Sequence, residues 1–305
     1  MIKLILLIFA GCALNLSAVD MLIIRGAEGT DEFSKPLENA AAKWKENAEK
    51  ARLTSVVVSG EHSKMEIDDL LSKSSKESLK PLWIIYLGHG TFLNGVAKLN
   101  LSGEDLSAPE LSKMLKPFKR EIIFINCASA SAPFIPELSA ENRIIITATK
   151  NSQQIYYTRF NEVMADAIAK EEADIDKDGQ TSLFESFLYA SREVQKFYDK
   201  DKRISGENGV LDDNGDKLGS LADMFEGLKP VKPEKKIDGF RAHQVHLLPS
   251  EEESKMSLEL RAKRNALELQ LNELKLQKSS MAQEEYYKKL EIILRKLAAI
   301  YEEDS

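Results

Sequence analysis

Two apolar runs constrain this chain more than anything else in it. Leu82-Trp83-Ile84-Ile85-Tyr86-Leu87 is followed by Gly88-His89-Gly90, and Ile122-Ile123-Phe124-Ile125 by Asn126-Cys127-Ala128-Ser129-Ala130. Unbroken apolar runs of this length read as strands covered on both faces, as in a parallel sheet between two helical layers. In such sheets ligand chemistry gathers beyond the carboxyl ends of the strands. His89 and Cys127 both stand at such an end.

The flanking sequence supplies the rest of that sheet. Met21–Ile24, Ser55–Val58 and Arg143–Thr149 read as further strands. Helical spacing of apolar residues runs from Phe33 to Arg52, from Lys64 to Leu79, and from Ser107 to about Leu115. Ser107, Pro109 and Glu110 form the capping signature that starts the last of these. Strand and helix alternate through residues 21–150, which implies βαβ units and a three-layer α/β sandwich with a mostly parallel sheet. Lys98–Leu101 reads as a hairpin arm, and Phe160–Ala169 and Leu183–Tyr198 as two more helices. Residues 226–250, with Lys229-Pro230-Val231-Lys232-Pro233, read as a linker. From 251 to 305 the chain is charged and helical. Leu260, Leu267, Leu274 and Met281 recur every seventh residue, and Tyr286, Leu290, Ile293, Leu297 and Ile300 form a second stripe beyond Ser279-Ser280. This tail is expected as a helical hairpin or a coiled coil, packing on its own chain, in a homodimer or on another partner.

The ends and the charge add limits. Met1-Ile2-Lys3, an apolar stretch to Leu16 and Leu16-Ser17-Ala18 read as a signal peptide over residues 1–18, too short to span a bilayer comfortably. The expectation is an exported, periplasmic or extracellular protein. Cleavage near Ala18 competes with lipidation of Cys12 in Phe9-Ala10-Gly11-Cys12. With the leader removed, Cys127 is the one remaining cysteine and no internal disulfide can form. A formal charge of −7 argues against a general nucleic-acid binder.

A thiol becomes a nucleophile when an imidazole takes or balances its proton. The chain between His89 and Cys127 suffices for one crossover, so the fold can bring them to adjacent strand ends. The N–H groups of Gly90 and Cys127 would then face an oxyanion. The order strand–His89–Gly90, then strand–Cys127–Ala128–Ser129–Ala130, resembles the caspase-like (clan CD) cysteine peptidases, and within them the legumain-type C13 peptidases and their bacterial relatives. The likeness spans roughly residues 20–225. It implies a caspase-like domain over 19–225, His89 as general acid/base, Cys127 as nucleophile, and a peptide or protein substrate. Ala130 stands where the family has Gly, and Asn126 replaces a small residue. A catalytically inactive scaffold that binds through the C-terminal helices is the alternative expectation.

A second signal lies at Asp174-Ile175-Asp176-Lys177-Asp178-Gly179-Gln180-Thr181-Ser182-Leu183-Phe184-Glu185. It matches the twelve-residue EF-hand loop, with Asp174, Asp176 and Asp178 at positions 1, 3 and 5, Gly179 at 6 and Glu185 at 12. Gln180 would offer its backbone carbonyl and Ser182 a hydroxyl or a water, for a structural Ca2+. Asp212, Asp213, Asn214 and Asp216 read as an acidic turn before a metal site, and His243 and His246 as surface or packing residues.

Overall fold

A computed structural model describes residues 19–27, 29–232 and 237–303. The expected leader and Cys12 lie outside the described residues. The order of elements is β1 (Met21–Arg25), α1 (Asp31–Lys50), β2 (Ser55–Val58), α2 (Ser63–Lys73), β3 (Leu82–Leu87), β4 (Gly90–Leu93), β5 (Val96–Leu99), β6 (Leu106–Ser107), α3 (Ala108–Leu115), β7 (Ile122–Asn126), α4 (Phe134–Leu138), β8 (Arg143–Thr147), α5 (Phe160–Ala167), α6 (Leu183–Lys200), β9 (Val210–Asp212) and β10 (Ser220–Leu221). Then follow β11 (Phe225–Glu226), β12 (Lys229–Pro230), α7 (Phe240–His243), α8 (Glu251–Lys255), α9 (Leu258–Leu276) and α10 (Gln283–Glu303).

Seven strands form the main sheet in the order β10-β9-β8-β7-β3-β1-β2. The five from β2 to β8 run parallel, and β9 and β10 close one edge antiparallel. The expected three-layer α/β sandwich with a mostly parallel sheet is present. Side-chain alternation feeds two separate cores. Trp83, Ile85 and Leu87 join Trp44 of α1, Met164 of α5 and Phe187 of α6 on one face. Leu82, Ile84 and Tyr86 join Ile67 of α2, Leu111 of α3 and Phe134 of α4 on the other. The connections reverse direction at β1, whose neighbours are β2 and β3, so the switch-point crevice opens above β1 and β3.

Local sequence explains most boundaries. The Ser107–Glu110 capping box starts α3, with Pro109 in its first turn, as the sequence predicts. α2 stops at Lys73 instead of Leu79. Ser74 turns extended and its hydroxyl donates to Leu70 O, while Lys76 Nζ donates to the carbonyls of Leu71 and Ser72. These donors satisfy the last turn's open carbonyls and end the helix. The hairpin arm proves to be the middle strand of a small sheet β4-β5-β6, turned at Asn94-Gly95, both with positive φ.

Part of the stretch read as linker packs on the body. Ala242 and Leu247 join the core around α6, and Asp238 is buried. Asp213 Oδ2 accepts from Gly239 N and Ala242 N, which caps α7. Beyond it, α9 and α10 form the helical hairpin, with a short turn at Lys278–Ser280 between them. Among the described residues, no helix is long and apolar enough to cross a membrane.

Candidate functional site

His89 leaves β3 into the switch-point crevice. Its imidazole is half-buried, with edge-on contacts to Phe33 at 5.6 Å and Tyr157 at 6.2 Å between centroids. Phe33 and Tyr157 stack on each other at 4.4 Å. Burial lowers the imidazole pKa, which favours the neutral ring. Gly90 is required by close approach: a Cβ there would meet Ser129 O at 2.5 Å and Ala128 Cβ at 3.0 Å. The two strand-end loops therefore touch at Gly90 and Ser129.

Cys127 takes a core position. The Cys127 N–H donates to Tyr86 O at 3.0 Å, which extends the β3–β7 ladder by one residue. Register then sends the side chain the way of Ile123 and Ile125, into the core under α1, α5 and α6. Cys127 is 0% exposed, and its carbonyl accepts from the Thr158 hydroxyl. Burial, helped by the nearby Glu207 carboxyl, pushes the thiol well above its ordinary value. Among the described residues no hydrogen bond joins the thiol to the His89 ring. The expected oxyanion donors are also engaged. Cys127 N–H is in the ladder, and Gly90 N–H donates to Ser129 Oγ at 3.2 Å. Ser129 Oγ in turn donates to Gly90 O at 3.1 Å. In this arrangement neither N–H is open to an oxyanion.

The two departures from the family pattern have physical readings. Ala130 has φ 49, a left-handed conformation that favours the glycine of the family pattern. Asn126 Oδ1 accepts from Ala128 N at 3.1 Å and shapes the turn after the strand, while its Nδ2 is buried without a partner.

The acidic loop brings three of its six expected ligand residues together, Asp174, Asp176 and Glu185. Lys177 and Gly179 take left-handed backbone angles. Asp174 accepts from Lys177 N at 2.7 Å and from Gly179 N at 3.1 Å. Oxygens of Asp174, Asp176 and Glu185 converge within 4.8 Å of one another. Asp178 instead accepts from Gln180 N and Nε2, and Gln180 Oε1 accepts from Ser250 N. Ser182 caps α6: its hydroxyl accepts from Glu185 N, and its N–H donates to Glu185 Oε2. Burial, then Glu185 and Asp178, raise the Asp176 pKa. Three converging carboxylates, with the His243 imidazole 3.4 Å from Asp176 beside them, are a donor set that fits a hard oxygen-seeking cation such as calcium.

Two histidines that sequence reading set aside stand beside this loop. His243 Nε2 lies 3.4 Å from Asp176 Oδ2, and its Nδ1 is 3.2 Å from Ser182 Oγ. His246 pairs with Ser182 in a β-bridge, and Leu183 N donates to Val245 O at 2.7 Å. The loop thus pairs with residues 245–246. No short-range signal links positions so far apart in sequence.

No family model matches the chain, and no curated protein matches it. Among solved structures, the Drosophila initiator caspase Dronc is similar over 67% of this chain and 82% of its own, at 12% identity and a TM-score of 0.42.

Two outcomes follow from this geometry. Adding calcium to chelator-treated protein should raise its melting temperature, by about 2.7 kcal/mol of added stability at a hundredfold excess over Kd; differential scanning calorimetry measures it, and Glu185→Gln should remove the loop's contribution. The second concerns the buried thiol, which keeps its proton when folded and loses it when unfolded. Stability should fall above about pH 8.5 with a slope of up to about 1.4 kcal/mol per pH unit from this group. Urea unfolding of Cys127→Ala across that range should show a shallower slope.

Proposed function

We propose that this chain is a caspase-like scaffold that binds or assembles through its C-terminal helices and does not cleave peptides. The observation that carries this reading is the complete burial of Cys127 on the core side of its strand, without a bond to His89. The engagement of both expected oxyanion N–H groups supports it. So does α10, which carries two overlapping apolar stripes. Tyr286 and Ile300 are buried, whereas Tyr287, Leu294 and Tyr301 recur every seventh residue and are each about half exposed. A calcium ion in the 174–185 loop would hold the start of α6 and the segment that leads to those helices. Residues 1–18 make export part of the same reading.

The test is alkylation of the purified protein with iodoacetamide across pH, with Cys127 followed by peptide mass spectrometry. Slow labelling, unaltered by His89→Ala, is expected. Rapid labelling with an apparent pKa below about 8.5 that His89→Ala abolishes would return the chain to the cysteine peptidases. Leu294→Glu on the full chain tests the other half of the proposal. It should leave the circular dichroism spectrum intact and lower the mass of the assembly in analytical ultracentrifugation, or remove a partner retained by the unaltered protein.

A further inference from the structure

The turn between β9 and β10 repeats the acidic loop. Asp212, Asn214 and Asp216 alternate as Asp174, Asp176 and Asp178 do. Lys177 and Gly215, the fourth residues, have φ 62 and 75; Gly179 and Lys217, the sixth, have φ 86 and 69. Gly215 N donates to Asp212 Oδ1, Asp216 N to Asn214 Oδ1 and Leu218 N to Asp216 Oδ1, at 3.2, 2.9 and 2.8 Å. The equivalent bonds fall on Asp174, Asp176 and Asp178.

Such turns form without an ion, so shape alone assigns nothing. Asp212 supplies the independent observation. It is 1% exposed, and its Oδ2 is buried without any hydrogen-bond partner. Gly215 N–H serves the other oxygen, Oδ1, and the backbone N–H of Lys217, the sixth residue, donates to Ser139 Oγ, whereas the sixth residue of the first loop donates to Asp174 Oδ2. A buried carboxylate oxygen without a hydrogen-bond partner carries an uncompensated desolvation cost. A cation on that oxygen would remove the cost.

We propose that the Asp212–Leu218 turn is a second calcium site, held by the side chains of Asp212, Asn214 and Asp216 and the backbone carbonyl of Leu218. Carboxylate, amide and carbonyl oxygens on a turn suit calcium better than magnesium, which demands near-ideal octahedral geometry. The ion would fix the turn that carries Asp213, whose carboxylate caps α7. The proposal does not depend on the 174–185 loop or on the fate of Cys127.

Calorimetric titration of the full chain, stripped with chelator, tests it with calcium chloride and then magnesium chloride. Two calcium equivalents are expected for the unaltered protein, one for Glu185→Gln, one for Asp216→Asn and none for the pair. Circular dichroism should match throughout, and Asp216 is partly exposed, so its amide tolerates the site. A single equivalent that Asp216→Asn removes and Glu185→Gln keeps would sink the first loop and leave this site standing. Binding that Asp216→Asn leaves at full stoichiometry, or no calcium binding by the unaltered protein, overturns the proposal. Equal or tighter binding of magnesium overturns the choice of calcium.

Discussion

The β3–β7 ladder is the constraint on which the rest depends. A parallel sheet with both faces covered must send alternate side chains into opposite cores. Here Ile123, Ile125 and Cys127 go to the α1 side, and Phe124 and Ala128 to the α2 side. The ladder persists through Cys127 because its N–H reaches Tyr86 O. Had pairing ended at Ile125, the backbone would be free to turn the thiol towards the crevice. That hydrogen bond holds Cys127 in the ladder and its side chain in the core register. The Gly90–Ser129 contact locks the neighbouring loop against the same strand end.

Much of the sheet was legible because its signals are local. β1, β2, β3, β7 and β8 each show as an apolar or β-branched run, and the Ser107–Glu110 box marks the start of α3. β9 was not legible, since its three residues end in a carboxylate and lie in a Gly- and Asp-rich stretch. The place of His89 at a strand end was readable. The burial of Cys127 was not: in a sheet covered on both faces every position is apolar, so alternation carries no signal for inside and outside. The His243 contact was hidden for another reason, because it depends on where the chain returns after residue 237.

The acidic loops show how one residue type can cap a helix and also converge on a candidate cation site. Glu185 closes the capping box on Ser182, while its other oxygen accepts from Ile175 N and faces Asp174 and Asp176. A carboxylate at a helix start is favoured by the open N–H groups there. That preference orients Glu185 before any ion arrives. Asp213 plays the corresponding part at α7, where it holds Gly239 and Ala242. Both caps lie on the route by which the chain passes from the sheet to its last helices.

Those helices carry what the sheet leaves unspent. α10 shares Leu290 and Leu297 between two heptad lines, one through Tyr286, Ile293 and Ile300 and one through Tyr287, Leu294 and Tyr301. A two-helix hairpin can bury one such line per helix, and larger bundles bury more. Tyr286 and Ile300 are buried on the first line, while the second stays about half exposed. Apolar residues repeating at heptad spacing on an exposed face cost solubility unless something covers them. At the strand ends, by contrast, Cys127, Ala128 and Ala130 are buried and the N–H groups of Gly90 and Cys127 are hydrogen-bonded. On the proposed reading, the physical incentive for association lies in this exposed line of the tail.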